Sequence, residues 1–200
     1  MTCKIPSTVS ENFLSGERSL LLVDAPNVDA VVGQLLGRAP RRTERFDPKA
    51  LSDWAVGAVG GGPLDRTLFT NVTNPPRPGV EGWIASLMRE GWSVYAKPKV
   101  RWNSDVDDAM VDHLVSQQWS GVIVFSHDAR CFSELLSSLA ADGVAVTVLG
   151  FREYAGRLPE VRGVTYVDCA DVPGLYVSEP PRVRVSGVPD GGGWITRTVA

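Results

Sequence analysis

Three short acidic segments hold the residues best suited to chemistry. The apolar run Leu20 to Val23 ends in Asp24, with Asn27 three residues on. A second segment carries Asp105, Asp107, Asp108 and Asp112, and a third, after another apolar run, reads Ser126-His127-Asp128. Clustered carboxylates repel one another unless a positive charge lies between them, so they raise each other's pKa or hold a cation. An all-oxygen donor set suits a hard divalent ion, Mg²⁺ or Mn²⁺, which can activate water and stabilise the leaving oxygen of a phosphodiester. Each acid also has a plainer reading. Asp24 could turn the chain. Asp105, Asp107 and Asp108 favour a helix start through its dipole. Asp108 and Asp112, four apart, could form one solvated helical face, and Asp128 could be an N-cap. Capping alone does not require all three segments to fall at one edge of one sheet.

The elements that position these acids are legible from hydrophobic period. SLLLVDAPN reads as a buried strand leaving into a turn, and NVDAVVGQLLG has helical spacing closed by Gly37. PKALSDWAVGAVG is a second helix, opened by Asp47-Pro48. Then RTLFTNV (strand), VEGWIASLMREG (helix), WSVYAK (strand), SDVDDAMVDHLVSQQ (helix), GVIVFSHD (strand), ARCFSELLSSLAADG (helix) and VAVTVLG (strand) follow in order. VRGVTYVD is a candidate sixth strand at the sheet edge. This alternation predicts an α/β three-layer sandwich, a mostly parallel sheet of five to six strands with helices on both faces and right-handed crossovers. In such a sheet ligands sit outside the carboxyl ends of the strands, where strand order reverses. The expected organisation is a flexible N-terminal lead over residues 1–18, a domain over 19–155, and a C-terminal extension over 156–200 ending in a mobile tail from about Pro180.

Composition narrows the class. Twenty Lys+Arg against 23 Asp+Glu give a net charge of −3, and 44% of residues are hydrophobic. That excludes a histone-like basic protein and a solvating acidic chain, but not a local basic face for nucleic acid. Three scattered cysteines without a C-x-x-C pair argue against a disulfide framework and a thiolate zinc site. Two histidines, His113 and His127, exclude H-E-x-x-H zinc chemistry. His127, beside Asp128, is either a proton shuttle or a structural residue. No P-loop, dinucleotide fingerprint or G-x-S-x-G elbow is present. Pro26 stands where an Asp-x-Asp phosphatase needs its second acid. With no signal peptide and no membrane-length apolar run, the expected compartment is the cytoplasm, with no membrane partner.

An anionic substrate needs cations near the acids. Lys97, Lys99 and Arg101 precede the acidic helix, and Arg38, Arg41, Arg42 and Arg45 follow the first helix. Both groups could line a phosphate track, with Trp102 stacking on a base, or be solvated loops and a partly buried ring.

LLVDAPNVDA, SDVDDAMVDHL and GVIVFSHDARCFSELLSSLAADGVAVTVLGFREY together resemble the NYN domain family, a LabA-like branch of the PIN-like ribonucleases, over about residues 19–155. The resemblance implies a Rossmannoid parallel sheet whose edge acids bind Mg²⁺ or Mn²⁺ and support RNA cleavage. Asp24 and Asn27 match the family's first acid and its asparagine, Asp107 with Asp108 the acid opening the central helix, and Asp128 the acid of the Ser-Gly-Asp turn. Four positions depart from the pattern. Ala25 and Pro26 replace a glycine and a glutamate, His127 replaces the turn glycine, and Cys131 replaces a second aspartate before Phe132.

The leading expectation is a metal-dependent ribonuclease acting on single-stranded or structured RNA. Asp24, Asp107 and Asp128 are its catalytic and metal-binding acids, and Asp108 is a further ligand. Asp105 and Asp112 support them, and Asn27 and Ser126 orient ligands or phosphate. The rival is a catalytically degenerate module that binds RNA or a protein partner. A third reading makes the tail from Pro180 an arm that pairs with a second subunit in a homodimer.

Overall fold

The computed structural model describes residues 18–100 and 105–182. Arg101 and Trp102, most of the N-terminal lead and the tail beyond residue 182 lie outside the described residues.

Six strands form one sheet in the order β3-β2-β1-β4-β5-β6, and every pair is parallel. They are β1 (Ser19–Asp24), β2 (Leu64–Val72), β3 (Ser93–Pro98), β4 (Gly121–Phe125), β5 (Ala145–Gly150) and β6 (Val164–Asp168). The sixth strand takes the edge position anticipated for it. The helices are α1 (Ala25–Leu36), α2 (Pro48–Ala58), α3 (Val80–Arg89), α4 (Asp107–Val115) and α5 (Ala129–Ala141). No helix among the described residues is long and apolar enough to cross a membrane.

β1 and β4 are buried on both faces, so their sequences are unbroken apolar runs. Strand side chains alternate, so successive residues serve opposite layers. Leu21, Val23, Ile123 and Phe125 pack with α1, α2 and α3 through Val28, Val32, Leu51 and Leu87. Leu20, Leu22, Val122 and Val124 pack with α4 and α5 through Met110, Leu114, Phe132 and Leu136. Each such fully buried Leu, Ile or Phe contributes about 1.5–3 kcal/mol. The core does not stop at residue 155. Leu158 joins the α4–α5 layer, and Cys169, Val172, Leu175 and Tyr176 join the other.

The described part of the C-terminal extension is fastened by Arg182. Its Nε donates to Glu153 Oε1 at 2.8 Å and its Nη2 to Asp168 Oδ2 at 2.7 Å. Further bonds join its Nη1 to Asp168 and its Nη2 to Glu153. The guanidinium also lies over the Phe151 ring, 5.4 Å from its centroid. This doubly bidentate pairing holds both carboxyls below their ordinary pKa: for Glu153 the Arg182 bond is the main cause, and for Asp168 Arg182 outweighs burial together with two backbone donors.

Candidate metal site at the switch point

The chain builds β1, β2 and β3 outward on one side, then returns to lay β4 against the other side of β1. Strand order therefore reverses between β1 and β4, and a crevice opens beyond their carboxyl ends. Val23 pairs with Phe125, so Asp24 and Ser126 are the next residues of adjacent strands. Alternation sends both toward the α4–α5 layer, in line with Leu20, Leu22 and with Val122, Val124.

Asp24 does not enter a turn, as the sequence reading expects. It is the N-cap of α1, which starts at the next residue with Pro26 in its first turn. Proline fits there because its missing N–H has no intrahelical partner to lose. Asp24 is 3% exposed. Its Oδ1 accepts from the Asn27 backbone N–H at 3.2 Å and its Oδ2 from the Ser126 hydroxyl at 2.9 Å. Burial drives its pKa up to about 7 against those two bonds, with the charges of Asp107 and Asp128 adding to the rise.

Asp128 caps α5, its Oδ1 accepting from the backbone N–H of Arg130 at 3.0 Å and Cys131 at 3.2 Å. The Ser126 hydroxyl oxygen accepts from the Asp128 N–H at 3.2 Å, so Ser126 joins the two acids. Asp107 is the first residue of α4 and makes no capping bond. Burial raises its pKa to about 6, with Asp105, Asp128 and Asp108 adding to the rise and Lys97 opposing it. Lys97 also donates to the Asp105 carbonyl at 2.6 Å. Three helix-opening aspartates, from far-apart stretches of sequence, thus act on one another at one end of the sheet.

Other candidates stand elsewhere. Asp108 is exposed but raises the pKa of Asp107, while Asp112 is exposed a turn further on. Lys99, Arg41 and Arg42 are exposed. Arg38 is engaged by Glu44, and Arg45 by Asp29 at 2.8 Å.

Asn27 and Ser126 brace the site from behind. Asn27 Oδ1 accepts from both the backbone N–H and Nδ1 of His127, each at 2.9 Å. His127 Nε2 accepts from the Phe151 N–H at 2.8 Å, which leaves the ring proton on Nδ1. The ring is 7% exposed and stacks on Phe151, and burial pulls its pKa down to about 4. A shuttle needs a free nitrogen and a pKa near neutrality. His127 has neither and serves as a buried tie. Alternation contains the signal for this: His127 follows Ile123 and Phe125, on the layer away from the acids.

The donor chemistry suits a hard divalent cation, since the converging groups are carboxylates that raise one another's pKa. Among the described residues, no three His, Cys, Asp or Glu side chains are grouped closely enough to hold an ion by themselves. Mg²⁺ tolerates this, because it keeps several waters and takes one or two carboxylates plus substrate phosphate.

A doubly wound parallel sheet with aspartates at its switch point is consistent with a PIN-like α/β sandwich. The family model described as the NYN domain matches residues 18–163, and the chain belongs to that family of PIN-like nucleases. The fold is also similar to the crystal structure of a protein of unknown function from Vibrio parahaemolyticus, with a TM-score of 0.56 and 19% identity over 80% of this chain and 97% of that one. No curated protein matches the chain.

Proposed function

We propose that this NYN domain is a metal-dependent endoribonuclease that hydrolyses RNA phosphodiester bonds at Asp24, Asp107 and Asp128. The observation that carries the reading is the convergence of three helix-opening aspartates at the switch point, with Lys97 opposing the charge at Asp107. Asp24, Asp107 and Asp128 would hold Mg²⁺ or Mn²⁺, with Asp108 as a further ligand. When bound, such an ion supplies activation of water and stabilisation of the leaving oxygen. Ser126 fixes the Asp24 carboxylate, and the His127–Asn27 tie fixes the first turn of α1. Lys97 sits where it balances Asp107 and meets phosphate.

The test is cleavage of single-stranded RNA in Mn²⁺ by wild type, Asp24→Asn and Asp128→Asn. Asparagine caps helices as well as aspartate does, so the second variant keeps α5 while losing the charge. Both variants are expected to lose cleavage and stay folded. Wild-type rates in both would remove the assignment.

A second reading is a degenerate module that binds RNA without cutting it. It is supported by Cys131 in the place of an acid and by Asp24, whose two oxygens are both engaged. RNA binding that is indifferent to chelator, with no cleavage, would establish it.

A further inference from the structure

An open groove of about 860 Å³ runs along the outer face of α5. The helix forms one wall and segment 157–162 the other. Glycines flank that segment at both ends, and the second allows a close approach. A Cβ at Gly156 would stand 3.5 Å from the Ala129 Cβ, and one at Gly163 would meet the Ala140 Cβ at 2.9 Å. Both have positive φ, +53° and +77°, which only glycine adopts cheaply. The second wall is therefore pinned near both ends of the helix. The groove follows α5 from Ala129 to Ser137, about 12 Å at 1.5 Å per residue.

Arg130, Arg157 and Arg162 line this groove, together with Glu134 and Glu160. Neither Arg157 nor Arg162 has an ion-pair partner among the described residues. The Arg130 side chain is 92% exposed, and its Nε is 4.0 Å from Asp128 Oδ1. The groove thus opens at one of the three acids and continues away from it between guanidinium groups. On the opposite flank, Arg38 and Arg45 are already paired within the protein.

We propose that this groove is the path of a nucleic-acid phosphodiester backbone. A single strand of RNA lies along α5, its phosphates held by Arg130, Arg157 and Arg162, and it reaches the acidic site beside Asp128. Guanidinium forks match phosphate oxygens, and three of them on the two walls of one groove hold a strand without reading its sequence. Glu134 and Glu160 keep the net charge of the lining at +1 (three arginines, two glutamates) and so hold affinity down. The direction of the strand rests on the nuclease reading, whereas the binding does not.

The experiment is fluorescence anisotropy of a labelled single-stranded RNA with the full chain in EDTA, at several salt concentrations. A single-stranded DNA of the same sequence forms a parallel arm. The triple variant R130A/R157A/R162A is expected to bind RNA at least about tenfold more weakly, with the slope of log K against log salt reduced by about 2. E134Q/E160Q is expected to bind more tightly. RNA bound at least as well as DNA, with both weakened in the triple variant, supports the proposal. An unchanged RNA affinity and salt slope in a triple variant with wild-type circular dichroism overturns it. Absence of wild-type RNA binding at low salt, or arginine dependence confined to DNA, also overturns it. If arginine-dependent RNA binding occurs without cleavage in Mn²⁺, the groove stands and the nuclease reading falls. If the triple variant binds and cuts like wild type, the reverse holds.

Discussion

Asn27 Oδ1 receives two hydrogen bonds from His127, from its backbone N–H and from Nδ1, across a separation of 100 residues. The tie joins the first turn of α1 to the loop after β4, the two segments that deliver Asp24 and Asp128. A second tie on the opposite side of the loop, from Ser126 to Asp24, completes the brace. Asp24 is thus held by neutral groups, the Asn27 backbone N–H and the Ser126 hydroxyl.

Replacing Asp24 with Asn is expected to separate stability from chemistry. An Asn side chain can accept from the Asn27 N–H and donate to Ser126 Oγ, so the cap survives. The buried charge disappears, and the metal-free protein should gain on the order of 2–4 kcal/mol at about pH 8. Urea denaturation measures this. A loss of stability in Asp24→Asn would show that the carboxylate is compensated.

The pH dependence of the metal-free protein follows from the same groups. Asp24 and Asp107 have folded-state pKa values of about 7 and about 6, above those of an unfolded aspartate. Their contribution to stability is complete below the unfolded value, about 4, and is lost as pH rises through about 6 and about 7. His127 acts in the other sense. Its pKa is depressed to about 4, so its contribution is complete above about 6.5 and is lost as pH falls through about 4. Mn²⁺ should therefore raise Tm more at about pH 8 than at about pH 5.5, its stabilisation at a hundredfold excess over Kd being about 2.7 kcal/mol. Thermal melts with and without Mn²⁺ provide the check; an equal shift at both pH values would contradict the acidic cluster as the binding site.

His127 itself should remain neutral and protonated on Nδ1 down to about pH 5. Nitrogen-15 chemical shifts of the ring distinguish the tautomers directly. His127→Ala should cost about 2–4 kcal/mol, because it removes one of the two donors to Asn27 Oδ1, leaves the Phe151 N–H without its partner and opens a cavity. A ring that titrates near pH 6.5 would restore the shuttle role.

Gly150→Ala offers a nearby steric test. The added Cβ would lie 3.1 Å from His127 Cδ2 and Nε2 and 3.1 Å from the Tyr166 hydroxyl. Displacing the ring should cost about 1–3 kcal/mol and lower RNA cleavage through Asn27. Unchanged melting would mean that the end of β5 has slack the packing does not reveal.

Arg182→Ala should cost about 2–4 kcal/mol, since it leaves Glu153 and Asp168 facing each other beside Phe151. Limited proteolysis is the most direct readout, with faster cleavage expected in the segment after β6. Arg182→Lys should recover little, because one ammonium cannot form two bidentate pairs.

The alternation of apolar strands and helices was legible because each element's period depends only on local sequence. Asp24, Asp107 and Asp128 were legible for the same reason: each stands at the end of an apolar run or the start of a helix. A switch point then places such positions at one edge. Partners were not legible. The sequence could not say that His127 would spend both nitrogens on Asn27 and Phe151, because neither partner is adjacent in the chain and only the β1–β4 and β4–β5 pairings bring them near. Nor could it show that Arg182 would close on Glu153 and Asp168, or that Gly156 and Gly163 would lay Arg157 and Arg162 beside α5. Side-chain character and strand parity are properties of short segments. Desolvation, charge coupling and hydrogen-bond partnership depend on what the rest of the chain brings alongside, and that is settled only when the sheet is assembled.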